Sequence, residues 1–136
     1  MVQTSDLELY QAVVEQALDA MIFADREGII RIWNARAEAV FGYAASEAIG
    51  RSLDFIIPED LRAAHWRGYH QAITMGQTKS GGQAMVTRAT HKHGGKLYVE
   101  LAFGIVSDRP HGVLGALATA KDITQSYLAS RAKRSR

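Results

Sequence analysis

The ten residues LYVELAFGIV, numbers 97–106, decide the fold. Leu97, Val99, Leu101, Phe103 and Ile105 fall at every second position, so one face is continuously apolar. A helix scatters such a set around its axis, whereas a pleated strand lines it up on one side. Outward from this stretch, residues 84–92 read as a second strand, joined to the first by the turn His93-Gly94-Gly95. Beyond it, 107–111 reads as a loop and 112–121 as a third strand.

Toward the N-terminus, past a polar loop at 77–82, the period becomes helical. Leu61, Ala64, His65, Gly68, Tyr69, Ala72 and Ile73 recur at three- and four-residue intervals, forming one inward stripe that contains His65. Pro58 suits the first turn of this helix, Glu59 and Asp60 suit its positive end, and Gly76 closes it. Upstream, 20–25 and 29–33 are short apolar runs flanking Arg26-Glu27-Gly28, which predicts a hairpin. Asn34 caps a helix through Phe41 that Gly42 ends, and Ser46 and Glu47 begin another short turn closed by Gly50. At the start, Ser5 and Glu8 have capping-box spacing, and Leu7, Tyr10, Val13, Val14, Ala17 and Leu18 recur helically. The order predicts an α+β fold: a five-stranded antiparallel sheet with helices on one face and flanking N- and C-terminal helices. Residues 1–19 are the N-terminal flanking helix, 20–124 the central domain and 125–136 a basic helix or tail.

The 136 residues, 47% of them hydrophobic, suit one domain with one core. The formal charge of +2 is uneven: Arg131, Lys133, Arg134 and Arg136 crowd the last six positions, and residues 1–130 carry −2. A mildly acidic body has no nucleic-acid footprint. The absence of cysteine excludes disulfides, thiolate metal sites and cysteinyl cofactor adducts. No apolar run approaches the roughly 20 residues of a membrane-spanning helix, and the N-terminus lacks a signal-peptide pattern, which points to the cytoplasm. No Gly-x-Ser-x-Gly, His-Glu-x-x-His or phosphate loop is present, and no carboxylates are paired for acid–base work, so the chain reads as a non-enzyme.

Four segments in order, Asn34-Ala-Arg-Ala-Glu-Ala-Val-Phe-Gly-Tyr43, Glu47-Ala-Ile-Gly50, Ile56-Ile-Pro-Glu59 and Lys121-Asp-Ile-Thr124, resemble the PAS domain sensory family. The resemblance runs from about Leu9 to Thr124. It implies a small-molecule pocket between the inner face of the sheet and the helices. It also implies a homodimer through the N-terminal helix, and an output domain or partner protein reached through the C-terminal segment. The chain is then either a stand-alone module or an excised sensor.

Within that family, Pro58-Glu-Asp-Leu-Arg-Ala-Ala-His65 is similar to the proximal-histidine helix of bacterial haem-PAS gas sensors, which implies haem b with His65 as the iron ligand. Two departures accompany the likeness. Met85 stands where oxygen-sensing relatives carry a distal arginine, and the tyrosine near the histidine falls one position later, at Tyr69. The residues support a bulky ligand independently, since a buried imidazole needs a partner and histidine is a usual proximal ligand of haem iron. Strand 112–121 is also light, with Ala116, Ala118 and Ala120 on one face and Gly115, Leu117 and Thr119 on the other. The expected distal residues are Met85, Leu101, Phe103, Leu117 and Thr119, with Arg62 and Lys79 as propionate partners. The other reading of His65 is a hydrogen-bonded core histidine beside an empty pocket or an apolar metabolite, in a protein-interaction module.

Other candidates are weaker. His91 and His93 share a strand end without a third ligand assigned, His70 lies off the stripe, and Trp33 and Trp66 read as packing rather than flavin stacking. The apolar face of the first helix has to be covered by the sheet or by a second copy. The basic end is a signalling helix, a weak nucleic-acid contact or a disordered tail.

Overall fold

A computed structural model describes residues 4–134; Arg136 of the basic tail lies outside them. The chain forms α1 (Asp6–Glu15), β1 (Ala20–Asp25), β2 (Ile30–Trp33), α2 (Ala35–Phe41), α3 (Ala45–Ala48), a 3-10 turn (Leu53–Ile56), α4 (Glu59–Met75), β3 (Met85–Thr90), β4 (Lys96–Asp108), β5 (Gly112–Asp122) and α5 (Thr124–Arg134). The five strands make one antiparallel sheet in the order β2-β1-β5-β4-β3, as the α+β reading expects.

Stretch 97–106 lies inside β4, which runs on to Asp108 because Ser107 and Asp108 still find partners in Val113 and Gly112. Register fixes the inner face. Leu101, Phe103 and Ile105 stand opposite Ala120, Ala118 and Ala116, and these in turn oppose Ala20, Ile22 and Ala24 of β1. With Trp33, Val40, Phe41, Leu53, Ile56, Tyr69 and Ile73, the apolar residues of that face form the core. Leu53 and Ile56 reach it through the 3-10 turn, an element that the sequence reading passes over.

Asn34 organises this end of the molecule. Its side chain is 1% exposed and uses its full hydrogen-bonding capacity. Oδ1 accepts from Met21 N at 2.9 Å and from Ala37 N at 3.0 Å, and Nδ2 donates to Val14 O at 2.8 Å and Asp19 O at 3.1 Å. The contact with Val14 explains a difference from expectation. Ala17 and Leu18 continue the helical pattern of α1 in sequence, yet the helix ends at Glu15, where the chain turns to place both carbonyls on Asn34. Ser5 caps α1 as the spacing predicts, accepting from Glu8 N. No residue of α1 is buried, so the sheet of its own chain does not cover its apolar face.

Asn34→Ala removes an N-cap and leaves Met21 N without its partner, and should cost about 2–4 kcal/mol of unfolding free energy. Urea denaturation checks this. A loss below about 1 kcal/mol would show that water takes over these bonds at little cost.

Candidate functional site

Helix α4 crosses the inner face of the sheet and is fastened at few points. The Trp66 indole donates from Nε1 to Asp54 Oδ1 at 2.7 Å and lies on Gly28 in the β1–β2 turn. A Cβ at Gly28 would come within 2.3 Å of the indole, and its φ of +80° is itself a glycine conformation. One turn on, the Tyr69 hydroxyl hydrogen-bonds to the carbonyls of Ala24 and Asp25 at the end of β1. Burial, reinforced by the charges of Asp25 and Glu27, pushes this phenol up to about 12. Tyr69 is therefore a neutral, tethered ring at any physiological pH. At the helix start, Asp60 pairs with Arg88 of β3 at 2.6 Å, and the guanidinium holds that carboxyl below its usual range.

Between these fastenings the stripe on α4 does not close onto the sheet. Tyr69 and Ile73 are buried, but Ala64, His65, Gly68 and Ala72 border a cavity of about 740 Å³. That volume lies in the range of sites for drug-sized molecules and cofactors. The sheet supplies Met85, Phe103, Ile105 and Ala116 as the facing wall, and Gln77, Thr78, Lys79 and Ser80 of the α4–β3 loop form part of the rim. On the central strand the small side chain of Ala116 borders this volume, while Ala118 and Ala120 continue the same buried face.

His65 stands in this wall. Its ring lies 4.6 Å from that of Trp66, edge to face, and 5.8 Å from that of Tyr69. Nδ1 is buried and has no hydrogen-bond partner, the one such side-chain atom among the described residues. Buried polar atoms are nearly always paired, so this nitrogen is an exception, and the residue that carries it lines the cavity. Burial lowers the pKa of His65, Asp54 opposes that shift and His70 adds to it. The resulting neutral imidazole is the form that binds metal.

The expected site residues divide. His65, Tyr69, Met85, Phe103 and Lys79 are brought together around the cavity. Leu101 lies on the same face, opposite Met85 in the register, and packs against the core. Leu117 and Thr119 are corrected: strand parity sets them on the outer face, because the alanines between them take the inward positions. Arg62 is corrected as well; its Nε donates to Ile57 O at 3.0 Å and the residue does not line the cavity. Arg67 and Gln71 line it instead, on helix positions outside the apolar stripe. Their polarity hides them from any search for buried positions, and only the open side of the cavity brings them in.

The lesser candidates fall into ordinary roles. His91 Nδ1 accepts from His93 N, and among the described residues no three metal-ligating side chains cluster. Trp33 packs on Phe41 and Phe55 and donates to Tyr43 O, while His70 is exposed and stacks on Trp66. Among the described residues no helix is long and apolar enough to cross a membrane.

A family model described as the PAS fold matches residues 8–123. The oxygen sensor protein DosP of Escherichia coli K12 is 26% identical over 114 residues, 84% of this chain and 14% of that protein. The sensor protein FixL of Bradyrhizobium diazoefficiens is 36% identical over 55 residues, 40% of this chain and 11% of that protein. The chain thus spans a small part of either relative. Among solved structures, a PAS domain from Colwellia psychrerythraea aligns with a TM-score of 0.76 at 22% identity, covering 89% of this chain and 99% of that one. An RNA-binding light-oxygen-voltage receptor aligns with a TM-score of 0.70 at 20% identity, over 93% of this chain and 38% of that one. At such identities these structures speak for the fold alone.

The half-buried imidazole of His65 has a pH consequence. A folded pKa below the ordinary 6.5 means that the unfolded chain takes up a proton which the native ring refuses. The stability is complete above about pH 6.5 and falls as the pH drops below it toward the folded pKa. Denaturation midpoints at about pH 7.5 and 5.5 should therefore diverge less in His65→Gln than in the parent protein. An equal acid loss in both would place its origin elsewhere.

Proposed function

Because the chain belongs to the PAS family and sets an orphaned imidazole in the wall of a ligand-sized cavity, we propose that it is a sensory domain holding haem b, with His65 as the axial ligand. The signal is a diatomic gas or the redox state of the iron. The observation that carries this reading is that His65, whose buried Nδ1 has no hydrogen-bond partner, lines the cavity. The donor chemistry fits: one neutral imidazole, a wall of apolar and sulfur-bearing side chains, and no competing thiolate. Haem, when bound, supplies an iron centre whose remaining position takes a diatomic ligand.

The chain's own residues have separable tasks. Trp66 and Tyr69 fix the rotation of α4 and hence the direction of the His65 ring. Met85 and Phe103 form part of the opposite wall and set the polarity met by whatever sits there. Met85 in place of a cationic side chain favours ligands other than oxygen, which gain less from a hydrogen-bond donor. Among the described residues no carboxylate lines the cavity beside His65, which supports a binding role rather than catalysis. Residues 20–124 are then the sensor of a cytoplasmic protein, and α5 carries the signal to an output domain or partner.

Titration of the purified protein with haemin should give a Soret band characteristic of an iron–imidazole complex. His65→Ala should lose that band, and Met85→Ala should keep it with an altered ligand set or gas affinity. Folded protein that leaves the haemin spectrum unchanged sinks the proposal in favour of an interaction module with an empty cavity or an apolar metabolite.

A second element of the proposal is a homodimer through α1. Leu7 and Tyr10 are each 68% exposed and Val13 is 60% exposed, so its own domain leaves the apolar face of that helix bare. Such a face is costly in water and is satisfied by a second copy. Sedimentation should give a dimer that becomes monomeric in Leu7→Glu/Val13→Glu, with the far-ultraviolet spectrum unchanged. A monomeric parent protein at micromolar concentration would refute this.

A further inference from the structure

The lining of the cavity is unevenly charged. Arg67 on α4 and Lys79 in the α4–β3 loop are its charged side chains apart from the titratable His65, and no carboxylate lines it among the described residues. Both cations are exposed, and among the described residues neither has an ion-pair partner. Other basic residues near the core are engaged: Arg31 with Asp25, Arg88 with Asp60, Lys92 with Glu47 and Arg62 with Ile57 O. The facing wall of Phe103, Ile105 and Ala116 is, by contrast, wholly apolar.

We infer that this cavity selects amphipathic carboxylates, with the apolar body against the sheet and the anionic head at the rim, recognised by Arg67 and Lys79. The inference rests on the cavity being the ligand site, as proposed above, but not on the ligand being haem. The physical reasoning has two parts. Moving a carboxylate into the apolar interior is costly, so a ligand bearing one is held with that group where water still reaches it. At the exposed rim a guanidinium forks onto a carboxylate and an ammonium meets it as a point charge. A neutral ligand of the same body gains the apolar contacts but nothing from either cation. The selectivity is thus between an acid and its own ester. A porphyrin dicarboxylate and a fatty acid share this chemistry.

Two iron-free probe pairs test it: protoporphyrin IX with its dimethyl ester, and dodecanoate with methyl dodecanoate. Quenching of tryptophan fluorescence reads binding of the porphyrin pair, since Trp66 is the neighbour of His65, and titration calorimetry reads the acyl pair. At low salt at least one acid should bind about fivefold or more tightly than its ester, a margin in keeping with rim-exposed ion pairs that salt reduces. Arg67→Gln/Lys79→Gln should abolish the margin, whereas Arg36→Gln/Lys133→Gln, which removes the same charge away from the cavity, should retain it. A margin in the porphyrin pair alone identifies a planar dicarboxylate, and one in the acyl pair alone a linear chain. The inference is overturned if acid and ester bind alike in both pairs, if the Arg67/Lys79 variant keeps the margin, or if folded protein binds no member of either pair. Neither pair contains iron, so a negative haemin titration and a missing acid–ester margin are independent results.

Discussion

The amide of Asn34, buried where β2 gives way to α2, settles four backbone groups from separate parts of the chain. It starts α2, holds the first strand at Met21, and draws in the carbonyls of Val14 and Asp19 where the flanking helix ends. Two donors and two acceptor lone pairs are all used, and each bond lies where water would otherwise have to enter. Because β1 is the second strand of the sheet and pairs with the central β5, the placement of Met21 passes into the register of both. The inward alignment of Ala20, Ile22 and Ala24 with the alanines of β5, and of those with β4, follows from it.

That alignment sets one wall of the cavity: Ala116 of the central strand faces it with Phe103 and Ile105 of β4, and α4 spans it without sealing it. The helix is secured by Trp66 against Gly28 and Asp54, by Tyr69 against the end of β1, and by Asp60 on Arg88. Those contacts fix its position while leaving Ala64, His65 and Gly68 facing open volume. One apolar stripe therefore does two things: Ile73 belongs to the core, Ala64, His65, Gly68 and Ala72 border the ligand site, and Tyr69 belongs to both. The partial burial of His65 favours its neutral form, and its Nδ1 has no hydrogen-bond partner, which is rare for a buried polar atom.

Much of this was legible in the residues. Alternation in 97–106, the helical stripe of α4, the Asn34 and Gly42 boundaries of α2 and the Gly28 turn all rest on local rules of period and capping. These act within a few residues, so the sequence displays them openly. His65 stood out for the same reason, as a polar ring at an apolar position of a clear stripe. The less legible features depend on distant parts of the chain. The inward face of β5 is one: its light residues alternate on both faces, and only pairing with Phe103 and Ile22 makes the alanines the inner set and turns Leu117 and Thr119 outward. The basic residue at the cavity is another, since Arg62 and Arg67 are both surface cations of one helix. The first bonds to Ile57 O, while the second meets the cavity because α4 lies across the sheet at one particular rotation.

By itself, then, the sequence determined the strands and main helices, their order, the antiparallel class of the sheet and the histidine on which the ligand question turns. Each follows from periodicity, capping or residue chemistry over a turn or two of chain. Only the tertiary structure decided which face of β5 borders the cavity, which cations reach its rim, where α1 stops and that its apolar face stays bare. These depend on register and helix rotation, which are set by contacts such as Asn34 to Val14 and Tyr69 to Ala24 between residues 20 and 45 positions apart.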